Sequence, residues 1–358
     1  NYIDFTSGIG VVSVGHANKR VNDAITKQLS NITHTSNLYN IAPQARAAQK
    51  VVEATGYDMQ CFFGNSGAEA NEGAIKIARK YGEVDGETKR YKIITLKHSF
   101  HGRTITTVKA TGQESMHNYF GPFPDGFVYA ENMSDIESLL DDHTCAVMIE
   151  LVQGEGGVQP QDKEQVKELE LLLQSKNILF IVDEVQTGAY RTGEFTASQL
   201  YDIEPDIITL AKGVGGGVPV GIVMTSLKDT LQAGDHGSTF GGNYLSATAV
   251  CEVMDILNEV KVDGTLDKTI EYFDTKLESF YDAHRDLFTQ KVGVGMMCGL
   301  RVIDGDTLRD IVNSARENGV MLLQAGRNTL RFLPPLTITE EEIDEGFNSL
   351  EKAISSLE

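Results

Sequence analysis

The sequence contains no tryptophan and only four cysteines among its 358 residues. Cys61, Cys145, Cys251 and Cys298 lie far apart without a C-x-x-C pair, so neither a zinc knuckle nor a disulfide framework is indicated. No apolar run approaches the roughly 20 residues that span a bilayer. We therefore expect a cytoplasmic protein with no metal and no membrane partner. The sequence does not begin with methionine, so it does not exclude a leader or a first strand before its first residue.

Basic residues are scarce as well. The chain has 31 Lys and Arg against 51 Asp and Glu, a formal net charge of −20. This balance argues against nucleic acid or an anionic membrane surface as a partner. Apolar residues, in contrast, make up 41% of the chain. Since the length exceeds that of a usual single domain, we expect one large domain and a smaller one.

Short β-branched runs alternate with helical stretches along the middle of the chain. The runs are YKIITLKH, TCAVMIELV, NILFIVDEV and PDIITLAK, which begin at Tyr91, Thr144, Asn177 and Pro205. This alternation predicts an α/β fold with a parallel sheet covered on both faces. Thr339 and Glu342 have capping-box spacing and open a packed terminal helix. No repeat or long linker interrupts the chain, so a smaller domain must combine both chain ends.

Two chemically useful side chains follow apolar runs directly. Asp183 ends ILFIV and Lys212 follows IITLA, and ligands of open parallel sheets bind beyond the carboxyl ends of strands. A desolvated lysine becomes a nucleophile and base, and the glycines from Gly213 to Gly217 would let a planar ligand approach. Either residue alone is equally well explained by an ion pair or by solvent exposure. An acid and an amine at one sheet edge indicate a joint role.

A third feature is the stretch Asn65-Ser66-Gly67 at the start of a predicted helix. Ser66 and Glu69 have capping-box spacing, and the amides of Gly67 and Ala68 would form an anion site suited to a phosphate. An ordinary capped helix without a bound anion explains the same residues equally well.

The sequence does not contain the motifs of several other common site types. The glycine stretches match neither G-x-G-x-x-G nor G-x-x-x-x-G-K-[ST], and Ser66 is not in G-x-S-x-G. His98 and His101 have H-x-x-H spacing, but no further His or Cys pair nearby completes a metal ligand set. We therefore interpret these histidines as hydrogen-bonded supporting residues.

Seven motifs occur in a fixed order: NSGAEANE, HSFHGRT, VQGEGG, IVDEVQTG, LAKGVGGG, HGSTFGGN and LRFLPPLTIT. Together they resemble the class III (subgroup II) pyridoxal-phosphate-dependent aminotransferases over essentially the whole chain, and within that family the acetylornithine branch. The resemblance implies fold-type I architecture. A large, mostly parallel-sheet cofactor-binding domain would span 46–286, and a smaller α+β domain would combine 1–45 with 287–358.

The resemblance also implies a pyridoxal 5′-phosphate site. Lys212 would hold the cofactor covalently and move the substrate proton, and Asp183 would keep the pyridine nitrogen protonated. The other implied cofactor contacts are Gly67 and Ala68 at the phosphate, Phe100 on the ring face, Gln186 at the ring hydroxyl, the flanking Glu184 and Val185, and Thr239. Thr239 would come from the neighbouring subunit, so a homodimer with a composite site is expected.

Substrate contacts follow from the same resemblance. Arg103 would bind a substrate carboxylate bidentately, with Ser238 as a further contact. Arg331 would bind the α-carboxylate of glutamate, and Glu155 would pair with Arg331 when the amine donor has no carboxylate there. A structural ion pair is the alternative for both arginines.

The implied reaction is transamination of N2-acetyl-L-ornithine with 2-oxoglutarate, which gives N-acetyl-L-glutamate 5-semialdehyde and L-glutamate in arginine biosynthesis. Ornithine, succinylornithine or 4-aminobutyrate are alternative amine donors, and a non-catalytic family member is a further alternative. Two departures from the family pattern bear on this. Ala68 replaces a common threonine at the phosphate site. Ile9 stands where ornithine-specific members carry tyrosine, which favours a donor with an acylated α-amine.

Overall fold

The computed structural model describes residues 1–83 and 89–357. Its strands, in chain order, are β1 (Ile3–Asp4), β2 (Gln60–Gly64), β3 (Lys92–Leu96), β4 (Phe127–Ala130), β5 (Thr144–Ile149), β6 (Val152–Gln153), β7 (Gln159–Pro160), β8 (Leu179–Asp183), β9 (Ile207–Ala211), β10 (Gly221–Thr225), β11 (Phe288–Val294), β12 (Met297–Val302), β13 (Val320–Met321), β14 (Leu323–Ala325) and β15 (Thr329–Phe332). Its helices are α1 (Ser7–Gly10), α2 (Lys19–Leu29), α3 (Ala42–Thr55), α4 (Gly67–Tyr81), α5 (Ile105–Ala110), α6 (Ile136–Leu139), α7 (Lys163–Ser175), α8 (Ala197–Tyr201), α9 (Tyr244–Val262), α10 (Thr265–Ala283), α11 (Gly305–Glu317) and α12 (Glu340–Ser355).

A seven-stranded sheet forms the centre of the molecule, with strand order β2-β10-β9-β8-β5-β3-β4. β10 runs antiparallel to both of its neighbours, and the other neighbouring pairs are parallel. Every residue of β5, β8 and β9 is buried, as expected for strands covered by helices on both faces. The predicted α/β fold with a mostly parallel sheet is confirmed.

Local capping explains where two of the helices begin. Asp162 precedes α7, and its side chain accepts a hydrogen bond from the amide of Gln165 at 3.0 Å. Thr339 and Glu342 complete both bonds of the predicted capping box at the start of α12. Because these caps satisfy amides that the first helical turn leaves free, α7 begins directly after Asp162 and α12 begins directly after Thr339, as predicted for α12.

The two chain ends come together in a second layer of structure. β1 pairs in parallel with β13, with Ile3 opposite Val320, beside a four-stranded antiparallel sheet in the order β11-β12-β15-β14. The ring of Phe5 packs 5.5 Å from that of Phe273 and 5.6 Å from that of Phe347. Both ends therefore share one apolar cluster. The domain limits at residues 45 and 287 stay predictions.

Three further features bear on the type of site. The helices of the described chain include none that is long and apolar enough to cross a bilayer. Within residues 1–83 and 89–357, no group of three or more His, Cys, Asp or Glu side chains could hold a metal ion. All four cysteines are free thiols.

Candidate active site

A cavity of about 410 Å³ opens at the carboxyl ends of β5, β8 and β9. Eight residues predicted from the sequence line it: Gly67, Ala68, Phe100, Arg103, Asp183, Val185, Gln186 and Lys212. Four separate segments of the chain supply them, so the fold brings together groups that are distant in sequence.

Lys212 projects from the end of β9. Its backbone has a φ of +49°, and it opens a short 3-10 turn directly after the buried strand. Burial lowers the pKa of the Lys212 amine to about 8, and the Arg331 guanidinium acts in the same direction. The carboxylates of Glu155 and Asp183 oppose this change. A substantial fraction of the amine is therefore neutral near physiological pH, as a nucleophile or base requires.

The carboxylate of Asp183 is held in one orientation. Its Oδ2 accepts a hydrogen bond from Asn71 Nδ2 at 2.8 Å and lies 2.8 Å from His101 Nδ1. Its Oδ1 accepts hydrogen bonds from the amide of Val185 at 3.0 Å and from the hydroxyl of Thr209 at 3.3 Å. Four contacts on a buried carboxylate fix its direction and leave it on the cavity wall.

The N-terminus of α4 reaches the cavity from another side. Ser66 Oγ accepts a hydrogen bond from the amide of Glu69 at 3.2 Å. The Glu69 carboxylate binds the amide of Asn65 at 2.7 Å instead of completing the predicted capping box with Ser66. In the described part of the chain, the amides of Gly67 and Ala68 have no acceptor. Two free amides at a helix N-terminus are suited to an anion.

Glycine at position 67 is required by close packing. A Cβ atom there would lie 2.7 Å from Val185 Cγ1, which is too short for two carbon atoms. Any side chain would push α4 away from the segment that follows β8. The free amides are therefore held against the cavity by the absence of a side chain.

The glycines after Lys212 were predicted to leave room for a ligand, and this is correct only for Gly217, which lines the cavity. A Cβ on Gly215 would lie 2.7 Å from Val220, and one on Gly216 would lie 2.6 Å from Val253. The interpretation is wrong for these two residues because they face core side chains. Their main effect is to let the turn pack tightly.

Arg331 and Glu155 form an ion pair behind the residues that line the cavity. Arg331 is 2% exposed, and its Nη2 donates to Glu155 Oε1 at 3.0 Å. Its Nη1 donates to Gln186 Oε1 at 3.3 Å. The Nε2 of Gln186 is buried and finds no partner among the described residues. Gln186 thus links the ion pair to the cavity and keeps one donor available there.

Arg103 lies at the exposed rim of the cavity. Its guanidinium carbon is 5.3 Å from the centroid of the Phe100 ring. Across residues 1–83 and 89–357, no carboxylate lies within ion-pair distance of Arg103. The charge is therefore oriented by an aromatic face and is available to an anionic ligand.

The side chain of Glu184 lies outside the cavity lining, although the residue was predicted as a cofactor contact. Its carboxylate accepts hydrogen bonds from the amides of Ala197 at 2.9 Å and Ser198 at 2.7 Å. Burial raises the pKa of this carboxyl group. The side chain therefore supports the start of α8.

Ser238 and Thr239 lie on a loop next to the cavity. Ser238 Oγ accepts a hydrogen bond from Nδ2 of Asn65, a lining residue, at 3.1 Å. Thr239 is exposed and does not line the cavity of its own chain. This position is compatible with the predicted role of Thr239 in a neighbouring subunit.

Sequence reasoning did not assign Asn71 and Glu150 to the site, and it interpreted His101 only as a supporting residue, but all three line the cavity. Glu150 directly follows the buried strand β5, a signal similar to the one that identified Asp183 at the end of β8. Its carboxylate is 3% exposed, and burial raises its pKa to about 7. Asn71 lies four residues after Gly67, one helical turn along α4, which places both on one face.

Comparison with known proteins identifies the family. A model of the aminotransferase class-III family matches residues 1–354. The chain belongs to the class-III aminotransferases. Acetylornithine aminotransferase from Wolinella succinogenes is 57% identical over 358 residues, which cover 100% of this chain and 91% of the relative.

Solved structures of other class-III aminotransferases share the fold. The ornithine aminotransferase of Toxoplasma gondii, described with partial occupancy of PLP at its active site, matches with a TM-score of 0.90 and 33% identity over 99% of this chain and 86% of that one. N-acetylornithine aminotransferase from Stenotrophomonas maltophilia matches with a TM-score of 0.85 and 31% identity over 99% and 91% of the respective chains.

The cavity of this class-III aminotransferase fits pyridoxal phosphate. The free amides of α4 suit its phosphate, and the buried Asp183 carboxylate suits a protonated pyridine nitrogen. The unpartnered Gln186 Nε2 suits the ring hydroxyl. The desolvated amine of Lys212 suits its aldehyde. Each polar part of the cofactor thus has a matching group in one cavity.

Proposed function

We propose that this class-III aminotransferase uses pyridoxal 5′-phosphate to transfer the terminal amine of N2-acetyl-L-ornithine to 2-oxoglutarate. The products are N-acetyl-L-glutamate 5-semialdehyde and L-glutamate, a step of arginine biosynthesis. One observation carries the proposal. Lys212, Asp183 and the N-terminus of α4 converge on one cavity in a chain that is 57% identical to an acetylornithine aminotransferase.

Besides Lys212, five residues would make the main contacts with the cofactor. The amides of Gly67 and Ala68 bind its phosphate, Asp183 binds its pyridine nitrogen, Gln186 binds its hydroxyl group and Phe100 covers one ring face. Val185, which also lines the cavity, adds an apolar contact. When bound, pyridoxal phosphate supplies an electron sink for the electrons left after the substrate carbon loses its proton.

Lys212 carries out the proton transfers. The lowered pKa of its amine, about 8, keeps a useful neutral fraction near pH 7.5 that can accept a proton from the substrate carbon. The nearby carboxylates of Asp183 and Glu155 favour the charged amine that forms. Lys212 therefore acts as an anchor for the cofactor and as the base.

The two arginines accommodate two different substrates. Arg103 binds a side-chain carboxylate at the open rim, and Ser238 adds a polar contact. Arg331 binds the α-carboxylate of glutamate, which displaces Glu155 from its 3.0 Å ion pair. Acetylornithine presents its terminal amine without a carboxylate at that end, so the ion pair stays closed. One site can thus bind both partners of the reaction.

The N-terminal segment favours the acetylated donor. Val11 lines the cavity, and Ile9, two residues earlier, is 42% exposed with a φ of +68°. An isoleucine offers no hydrogen-bond acceptor to a free α-ammonium group. Acylation removes that charge, so N-acetylornithine binds with a smaller desolvation cost than ornithine.

A homodimer would complete the site. Leu38, Tyr39 and Phe240 expose 87%, 69% and 60% of their surface, and Asn37 Nδ2 joins the two segments by donating to the carbonyl oxygen of Ser238 at 3.0 Å. An exposed surface with several large apolar side chains is typical of protein interfaces. Thr239 lies within it, next to Phe240, and would reach the phosphate of the second copy.

A cytoplasmic location suits this function. All four cysteines are free, and thiols persist in reducing compartments. The amino-acid and keto-acid substrates of a biosynthetic transaminase are also cytoplasmic metabolites, which supports the same location.

Steady-state kinetics with two amine donors tests the proposal. We expect kcat/KM with 2-oxoglutarate to be at least roughly tenfold higher for N-acetylornithine than for ornithine, a difference of about 1.4 kcal/mol. K212A should abolish both reactions because it removes the amine that moves the proton. The matched variant K228A changes an exposed lysine that pairs with Asp58, and it should leave both rates unchanged.

Ornithine is the second candidate donor, because the Toxoplasma gondii ornithine aminotransferase is a close structural match. Equal rates with both donors would refute the argument from Ile9 and retain the enzyme class. Undiminished transamination by K212A would refute the mechanism.

A further inference from the structure

Glu150 uses both of its carboxylate oxygens on backbone amides. Oε2 accepts a hydrogen bond from the amide of Phe100 at 2.9 Å, and Oε1 accepts one from the amide of Gly154 at 3.3 Å. The two amides belong to different segments. One follows β3 and carries Phe100 and Arg103, whereas the other follows β6 and carries Glu155. A single buried side chain therefore connects the two segments.

The two segments also pack directly against each other. Gln153 Nε2 donates to the carbonyl oxygen of Lys97 at 2.9 Å. A Cβ on Gly156 would lie 2.5 Å from the carbonyl oxygen of His98. The backbone of one segment is thus in contact with the other, and a small change in the position of one displaces its neighbour.

Gly154 is also confined on its opposite side. A Cβ on this residue would lie 2.3 Å from Gln186 Oε1, so the segment lies between Gln186 and the bond to Glu150. Gln186 in turn accepts the hydrogen bond from Arg331. The position of Gly154 therefore affects the position of Arg331 through Gln186.

These contacts connect Glu150 to both substrate-binding arginines. On one side, the Phe100 ring orients the Arg103 guanidinium at 5.3 Å. On the other, Gln186, which packs against Gly154, accepts a hydrogen bond from Arg331 at 3.3 Å, and this contact does not depend on Glu155. Because Phe100 and Gly154 are fixed to the same carboxylate, the spacing between the two guanidinium groups depends on that side chain.

We propose that Glu150 is a positioning residue that sets the spacing between Arg103 and Arg331 and so selects substrates by chain length. Glutamate, with carboxylates at both ends, spans the two arginines, and a shorter or longer dicarboxylate fits only if one segment moves. This inference rests on the proposed function, because it assigns the two arginines to opposite ends of the substrate.

Two charged groups, Asp183 and His101, act on the carboxyl group of Glu150 in opposite directions. Burial raises its pKa, Asp183 acts in the same direction and His101 opposes them. An amide at this position would keep one acceptor oxygen and turn an NH₂ group towards a second N–H donor. E150Q would therefore retain the size of the side chain and release one of the two segments.

The test compares E150Q with E170Q. Glu170 is a matched control because burial also raises its pKa and because it also accepts a backbone hydrogen bond, from the amide of Glu204 at 2.7 Å, outside the active-site cavity. The measured quantity is kcat/KM for amine transfer from glutamate, aspartate and 2-aminoadipate, which differ in length by one methylene group each. Cofactor binding is followed by visible absorbance.

We expect E150Q to keep its cofactor and to lose roughly tenfold in the preference for glutamate over the other two amino acids, since small displacements of positioning groups cost about this much or more. E170Q should keep the wild-type preference. An equal loss for all three amino acids in E150Q would show a merely structural role and overturn the proposal. So would an unchanged preference.

E150D provides a second variant if E150Q does not fold. Aspartate keeps the charge, but its side chain is one methylene shorter and cannot reach both amides, so the same loss of length preference is expected. The measurements with glutamate, aspartate and 2-aminoadipate also separate the role proposed for Glu150 from the proposed amine donor. Failure with N-acetylornithine alone would refute the proposed donor, whereas an unaltered length preference in a folded Glu150 variant would refute the role of Glu150.

Discussion

Lys212 has an amine whose pKa is lowered to about 8, first by burial and second by Arg331. Only the neutral amine attacks the aldehyde of pyridoxal phosphate. We therefore expect the rate of covalent cofactor attachment to the apoprotein to rise with pH and to reach half of its maximum near pH 8. Stopped-flow measurement of visible absorbance gives this midpoint.

The E155Q variant checks the cause of this shift. The Glu155 carboxylate raises the pKa of Lys212, so its neutral replacement should move the midpoint to lower pH. A midpoint near 10.5, the ordinary value for lysine, would contradict the role of desolvation. A midpoint that rises in E155Q would contradict the charge argument.

For single residues, the sequence predicts which side chains reach the cavity but not which partners hold them in place. Asp183 and Lys212 were predictable because each follows a buried run, and Glu150 follows the same rule. The partners of Asp183 were not predictable, since Asn71 and His101 lie 112 and 82 positions away along the chain. Such contacts depend on how the helices pack on the sheet.

Among the elements, α4 would connect stability with cofactor binding, because its N-terminus is the proposed phosphate site. The hydroxyl of Ser66 caps this helix by accepting from the amide of Glu69, and the next two amides face the cavity. S66A should lower the free energy of unfolding by about 1 kcal/mol and weaken pyridoxal phosphate binding as well. Chemical denaturation and cofactor titration measure the two effects.

Thr339 supplies the matched control for this prediction. Its hydroxyl caps α12 in the same way, by accepting from the amide of Glu342 at 3.2 Å, and Thr339 does not line the cavity. T339A should cost a similar free energy of unfolding and leave cofactor affinity unchanged. If the two variants weaken cofactor binding equally, the helix N-terminus has no special role at the phosphate.

Secondary structure was predictable where a buried apolar run or a capping pair marked the element in the sequence. Buried runs identified β8 and β9, and the capping-box spacing of Thr339 and Glu342 identified the start of α12. The antiparallel direction of β10 between β2 and β9 has no such signal, because an apolar run reads the same in both directions. Strand order likewise depends on long-range packing, which the local pattern does not contain.

For the whole molecule, association has to overcome charge. Two copies of a chain with a net charge of −20 repel each other, so an interface needs enough apolar contact to compensate. The surface that includes Leu38, Tyr39 and Phe240 offers such contact. Since Thr239 belongs to this surface and not to the cavity of its own chain, the proposed composite site can be tested by mixing two inactive variants.

K212A removes the essential amine, and T239E places a negative charge where the phosphate of the partner site would bind. In a mixed dimer, the T239E chain contributes an intact Lys212 and the K212A chain contributes an intact Thr239, which together make one complete site. Each variant alone should be inactive. Co-expression in equal amounts should restore roughly a quarter of the wild-type activity, because half of the randomly paired dimers contain one complete site of two.

K212A mixed with R103A supplies the control. Arg103 and Lys212 line the same cavity of the same chain, so every site in that mixture lacks one of them whichever chains pair, and no activity should return. Recovery in the first mixture alone therefore requires that Thr239 acts across the interface. Without recovery in either mixture, Thr239 serves its own chain or no chain, and the exposed apolar surface would need a different explanation.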